Sequence, residues 1–371
     1  MHSAFPFGFP VATAFYLVLY VLTFVLHHAF MHYVLAGSLC LTWFTLSQRR
    51  ETVAWAEQPL LATLREWIPF LLSAAITAGV APLLFIQIVY QHQFYTANLL
   101  LWWRWMIVVP VLIVGFYLTY LVKSHRLWTW PYLVRVAVLL VTSACFVFVG
   151  FCWTANHLIA NRGSTWPEVY TTGQLPFTYT EVIVRMLVWL AGSFPTMCVI
   201  LGWQLFYRER VSRDGAQNEL GQDAWGTRAL SRMAIGGLVV SVLAGATYIL
   251  VIEASAKGLV FGNVGRPYLM MGALGVGLQI GGWISMFRQN RLSLLLLGFV
   301  SAGSLTTLVC ISVLREAVRL SAVDLLSLAD LHAKAAEVGG FGVFLLAAVV
   351  VSLLIVWCIQ LVRTGTTTSN A

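Results

Sequence analysis

The sequence predicts an all-α, polytopic transmembrane bundle of about nine helices. Three observations carry that prediction. Of 371 residues, 60% are apolar and 10% are charged, against about 25% charged in an average soluble domain. Mean hydropathy is +0.83. The apolar residues gather into runs of about 20 or more, long enough to cross hydrocarbon and without the alternation of a strand. Charges this sparse cannot coat a soluble globule. A soluble enzyme, a disordered chain and a fibrous repeat are excluded.

The first span, about 12–46, is far too long for a signal-peptide core and has no small-residue cleavage site, so it reads as a retained helix. Its length implies tilt or protrusion. Spans at 68–90 and 98–122 follow, the latter opening with Trp102, Trp103 and Trp105; a short basic loop at 123–131 carries Trp128 and Trp130. Both tryptophan groups read as interfacial belt residues. The fourth span is 132–155, followed by a longer loop, 156–181. After the fifth span, 182–207, the segment 208–233 mixes Arg, Asp, Gln, Asn and Gly as a solvated connector. Spans at 234–252 and 269–287 contain Gly236, Gly237, Gly245, Gly272, Gly275, Gly277, Gly281 and Gly282. Small residues let helix backbones approach closely, and would equally make room for a flat cofactor. The eighth span, 292–314, leads into 315–340, where Ala322–Ala336 predicts a surface helix with leucines on one face. The last span is 341–362. Residues 1–371 thus form a single integral membrane domain.

Nine spans put the termini on opposite sides. The connectors 47–67, 123–131, 208–233 and 288–291, with the tail, carry 13 Lys and Arg; those on the other side carry 6. The positive-inside rule then places the N-terminus outside and the C-terminus in the cytoplasm. The net charge of +8 is spread over these short loops rather than gathered into a stripe, so nucleic acid is not the expected partner. The six cysteines fall mostly inside apolar runs with no CxxC, which excludes covalent c-type haem attachment and reads as small buried hydrophobes.

Ionisable groups at membrane depth are the functional candidates. His27, His28 and His32 lie near the middle of the first span, and His28 and His32, four apart, share one face. Neutral imidazole ligates haem iron or another metal; the alternative is hydrogen bonding to neighbouring helices. His28 is the metal-ligand candidate. His92 and His157 close the second and fourth spans, each as a cofactor ligand or as a histidine meeting water. Arg185 pairs with Glu181, four residues earlier, with a haem propionate, or with water at the interface. Leu314-Arg315-Glu316-Ala317-Val318-Arg319 reads as a solvated helix end, with an anion site as the alternative. No Asp or Glu occupies the centre of a span, so proton pumping is not expected. His2, His125 and His332 fall in predicted loops and carry no signal.

Taken in order, these residues resemble subunit I of the cytochrome bd quinol oxidases. The resemblance rests on nine spans, on His28 nine residues before Gly37, and on Ala78-Gly79-Val80-Ala81, similar to that family's Gly-Val-Ala element. Ala155-Asn156 with Trp166-Pro167 resembles its Ala-Asn-Gly-Trp region, and Leu314-Arg315-Glu316 falls where it has Gly-Arg-Gln-Pro. The resemblance implies His28 as a haem ligand and Met270 or Met271 as the surviving partner methionine. It also marks departures. Val188 stands where the fifth-span histidine should be, Trp102 and Pro110 where two proton-path carboxylates should be, and Gln87 near the second-span glutamate. The quinol-binding loop has shrunk to about Glu253–Arg266.

The implied function is a bd-like membrane subunit of a respiratory electron-transfer complex, not itself an oxygen reductase. Haem b and quinone are the implied cofactors, with His28, His32, His92, His157, Met271 and Arg185 as candidate cofactor residues. The implied partners are the lipid bilayer, other membrane subunits and a c-type cytochrome on the outer face, and the implied location is a bacterial inner membrane. The alternatives are a cofactor-free scaffold that anchors redox partners and, from a third class, a transporter. The last lacks support from inverted repeats or interrupted helix pairs.

Overall fold

The structure is a computed structural model that describes residues 9–47, 58–215 and 224–337, together with isolated positions between 342 and 360. Among the described residues it is all helix, with no strand. Its elements are α1 (Val11–Ser47), α2 (Pro59–Val89), α3 (Gln91–Leu101), α4 (Trp103–Met106), α5 (Val108–Lys123), α6 (His125–Thr129) and α7 (Tyr132–Ala160). Then come α8 (Trp166–Thr172), α9 (Tyr179–Gly215), α10 (Ala224–Val251), α11 (Ala254–Phe261), α12 (Arg266–Gln289), α13 (Leu294–Leu320) and α14 (Leu325–Glu337). Eight stretches among the described residues are long and apolar enough to cross a membrane. Each coincides with one of the first eight predicted spans. The ninth, 341–362, lies outside the described residues except for isolated helical positions.

Connectors are where the sequence reading needs correction. Residues 91–97 are not a loop but the body of α3, and the third span starts late, at Trp103. The break falls at Trp102, whose φ of 48° and ψ of −123° no helix accommodates. A non-glycine residue held there costs about 1–3 kcal/mol. The segment 208–233 is also mostly helical, because α9 runs on to Gly215 and α10 begins at Ala224. The predicted surface helix is present as α14, with Leu328 buried and Leu331 exposed. Trp128 is no belt residue: it is buried, donates from Nε1 to the Val122 carbonyl at 3.0 Å and lies beneath Arg65 at 5.3 Å.

Helix α1 is the central element, packed against α2, α7, α9, α13 and α14. Its C-terminal half sits in the main core with Leu60, Leu64 and Ile68 of α2, Met197 and Leu201 of α9, and Trp283 of α12. Its N-terminal half belongs to a second core with Val89 and Tyr90, Val313 and Leu320 of α13, and Leu328 of α14. The glycine expectation holds for some positions and fails for others. A Cβ on Gly275 would stand 2.7 Å from the Gly303 carbonyl oxygen of α13, and one on Gly237 would stand 2.6 Å from that of Ala191 in α9. Gly236, Gly245, Gly277 and Gly281 face open space. Cys40, Cys145, Cys152, Cys198 and Cys310 are buried free thiols, as expected; Cys358 lies outside the described residues.

Candidate functional site

Four residues on α1 at intervals of four, Tyr20, Phe24, His28 and His32, form a continuous ladder of rings. Helical geometry stacks such residues one above another on a single face. Tyr20 and Phe24 are stacked with centroids 5.6 Å apart, Phe24 and His28 stand 3.9 Å apart, and His28 and His32 5.1 Å apart with planes 17° from parallel. The sequence reading found the histidine pair. It missed the two rings above it, although the same spacing contains them.

The three histidines of this turn divide by partner. The Nδ1 of His27 lies 2.9 Å from the Ala75 carbonyl of α2, and its ring sits against Gly79, where a Cβ would come within 3.0 Å. His32 is buried, with Nδ1 3.2 Å from Thr196 Oγ1 of α9, and its Nε2 is buried without a partner. Both therefore do the interhelical bonding considered as the alternative role. His28 does not: its contacts are the rings of Phe24, His27 and His32, with no hydrogen bond to either ring nitrogen among the described residues. Because His28 and His32 project from one face of one helix, they cannot take opposite axial positions on a single haem iron. The structure instead stacks His32 on His28 and ties it to Thr196 of α9.

At the Tyr20 end of the ladder stands a charge cluster the sequence reading took for a solvated helix end. Glu316 is fully buried in the last turns of α13, and Arg319 is 2% exposed. The Glu316 carboxylate accepts from Arg315 at 2.9 Å, from Arg319 at 3.5 Å and from the Tyr90 hydroxyl at 2.9 Å. Both arginines also donate to Tyr20 Oη, at 3.0 and 3.3 Å. The Arg315 guanidinium lies 4.5 Å over the Phe24 ring, and that of Arg319 4.6 Å over Tyr90. Two guanidiniums thus share one carboxylate. The expectation that this end is solvated fails because Tyr20 and Tyr90 close over it.

Arg185 of α9 adds a third cation. The expected pair with Glu181 is not made, because Glu181 is held by both oxygens to Arg162 Nη2 at 2.8 and 3.0 Å, while Arg162 also donates to the Pro176 carbonyl. Arg185 instead donates to His157 Nδ1 at 2.6 Å and to Tyr248 Oη at 3.3 Å. A ring nitrogen that accepts from a guanidinium carries no proton, so the His157 proton sits on Nε2, which is buried and unpaired. Among the described residues Arg185 has no carboxylate partner. Arg315 and Arg319 thus share the single negative charge of Glu316, and Arg185 stands without an ion pair of its own among the described residues.

The remaining candidates stand apart. His92 is exposed on α3 and rests against Trp166 at 5.3 Å. Met271 is 52% exposed and Met270 67% exposed, so both lie on the outside of the described bundle, apart from His28. Trp102 and Pro110 are exposed as well. His332, given no role from sequence, is fully buried, with Nδ1 3.1 Å from Thr13 Oγ1 of α1 and its ring against Tyr16. His2 lies outside the described residues.

The residues present fit a haem better than a metal held by protein alone. No three His, Cys, Asp or Glu among the described residues converge as a ligand set. Haem brings its own four equatorial nitrogens, needs an axial imidazole with a free ring nitrogen, and carries two carboxylates that suit surplus guanidiniums. His28 has a ring nitrogen free of protein hydrogen bonds, and Arg185 is the guanidinium without an ion pair among the described residues; Arg315 is already paired with Glu316. No family model, no curated protein and no solved structure matches this chain.

Proposed function

We propose that this chain is a membrane subunit of an electron-transfer complex, resembling cytochrome bd subunit I, in which His28 ligates a b-type haem. The observation that carries the reading is the contrast within one helical turn: His27 and His32 are hydrogen-bonded to neighbouring helices and His28 is bonded to none. His28 is half-buried and its ring nitrogens are free of protein hydrogen bonds among the described residues, as a nitrogen that ligates metal has to be. Haem, when bound, supplies one-electron redox chemistry. The chain's own residues orient it: Phe24 and His32 fix the His28 ring between them, and Arg185 offers donors for its carboxylates.

Oxygen reduction is not part of the proposal. Trp102 and Pro110 offer no proton relay, and the carboxylate of Glu316 is committed to Arg315, Arg319 and Tyr90. The loop bias supports a bacterial inner-membrane orientation with the N-terminus outside. In that orientation the arginine cluster, near the N-terminal half of α1, faces an outer c-type cytochrome; quinone remains an alternative electron carrier. The second reading, a cofactor-free scaffold, draws on the same helix-to-helix bonds of His27 and His32.

The deciding measurement is a reduced-minus-oxidised visible spectrum of purified chain. An α-band present in wild type and His32→Ala, and lost in His28→Ala with the fold retained, supports haem ligation by His28. No haem in any of the three transfers the conclusion to the scaffold.

A further inference from the structure

At the end of the bundle away from the arginine cluster, residues of α2 and α9 line an open cleft of about 600 Å³. That volume is within the range of about 300–1,000 Å³ typical of small-molecule sites. The cleft sits where the fifth candidate span ends at Arg208, at the level where hydrocarbon gives way to headgroups. Its walls are aromatic: Trp67, 40% exposed, faces Trp203 and Tyr207, whose rings stack 5.7 Å apart.

Two opposite charges line this cleft without pairing with each other. Arg208 is anchored by a 3.0 Å bond from Nη1 to Thr63 Oγ1, which leaves its remaining N–H groups for a ligand. Glu66 is exposed and makes no ion pair among the described residues. Gln204, on the Arg208 face of α9, uses its carbonyl oxygen to accept from Tyr33 at 2.8 Å, so its amide N–H₂ is turned to donating.

We propose that this cleft binds one phospholipid with a phosphoethanolamine headgroup. The phosphate meets the Arg208 guanidinium and the Gln204 amide, and the primary ammonium meets the Glu66 carboxylate and the face of Trp67. Charge complementarity selects this headgroup. A purely anionic headgroup such as phosphatidylglycerol leaves Glu66 facing negative charge, and phosphatidylcholine has no N–H to donate to it. Ile200 and the ring of Trp203 line an apolar wall for an acyl chain. The cleft lies toward the opposite end of α9 from Arg185, and Arg208, Glu66 and Trp67 are not residues of the proposed haem site.

The test is native mass spectrometry of the full chain, purified in mild detergent and offered equimolar phosphatidylethanolamine, phosphatidylglycerol and phosphatidylcholine. The expected result is one retained phosphatidylethanolamine per chain, in at least several-fold excess over the other two. Glu66→Gln should abolish that preference while lipid is still retained, and Arg208→Gln should remove retention of all three. Should either variant fail to fold, the wild-type thermal midpoint should rise with added phosphatidylethanolamine and not with phosphatidylglycerol. Equal retention of the three lipids by wild type, a preference unchanged in Glu66→Gln, or a retained isoprenoid quinone that phosphatidylethanolamine does not displace overturns the proposal.

Discussion

The imidazoles of His28 and His32 lie 5.1 Å apart with their planes 17° from parallel, and only the second is hydrogen-bonded to another helix. Two residues of one type, one turn apart, are thereby given different work. His32 ties α1 to α9 through Thr196, and in doing so it fixes the ring against which His28 rests. The contrast implies unequal effects on substitution. Thr196→Val should leave haem bound but loosen the pair. A neighbour that orients a ligand is worth about 10–100-fold in metal affinity, so haem loss on dilution should quicken by a factor in that range. A haem off-rate unchanged in Thr196→Val would show that the bond is irrelevant to the site.

Glu316 is the counter-ion on which the cluster depends. Removing one partner of a buried ion pair costs about 3–5 kcal/mol, because the other charge is left buried and uncompensated. Glu316→Gln should therefore unfold at a clearly lower temperature than wild type. Tyr90→Phe removes one hydrogen bond to a charged group and should cost about 1.5–3 kcal/mol. Thermal melts in one detergent compare the two, and equal midpoints for Glu316→Gln and wild type would contradict the packing described.

Arg185 tests the electrostatics of the proposed haem. Its guanidinium has no carboxylate partner among the described residues. Arg185→Gln removes a cation that favours the electron-rich reduced state, so the haem midpoint potential should fall. A redox titration followed at the α-band reads this directly. An unchanged or raised potential would place Arg185 away from the cofactor.

The glycines separate close packing from chance. Gly275→Val would drive a side chain into the Gly303 carbonyl, 2.7 Å from the Cβ position, and should part α12 from α13. Gly281→Ala meets nothing within 4 Å and should be neutral, or stabilising by up to about 1 kcal/mol from helix propensity. Thermal midpoints that move alike in both variants would contradict the contrast between a packed and an open glycine.

His332 gives the docking of α14 a pH dependence. Burial lowers its pKa from 6.5, only partly opposed by the Val89 carbonyl. The folded form therefore keeps the ring neutral while an undocked α14 takes up a proton. Docking is at full strength above about pH 6.5 and weakens as pH falls below that value, levelling off beneath the lowered folded pKa. Hydrogen exchange of the α14 amides should accelerate from pH 7 to pH 5, after correction for intrinsic rates. His332→Gln should flatten that dependence.

The eight described spans were legible because a long apolar run has one solution in lipid, a helix that satisfies its own backbone. The break at Trp102 was not, because nothing in Leu101-Trp102-Trp103 marks a left-handed residue as glycine or asparagine would. At the site, the spacing of His28 and His32 placed them on one face before any coordinates. The burial of Glu316 and Arg319 could not be read so, since their solvent is removed by Tyr20 and Tyr90, which are hundreds of residues distant in sequence. Glu181 illustrates the same limit: its local partner Arg185 loses to Arg162 across a loop that folds back.

The ring ladder from Tyr20 to His32 also bears on distance. Twelve residues of helix advance about 18 Å, against a hydrocarbon layer about 30 Å thick. Saturated lipid is an insulator over that whole thickness. Along this face of α1 more than half of it is bridged by conjugated rings in contact, beginning beneath two guanidiniums. Under the proposed function, an electron entering at Tyr20 would have only the remaining two-fifths or so of the barrier without such a bridge.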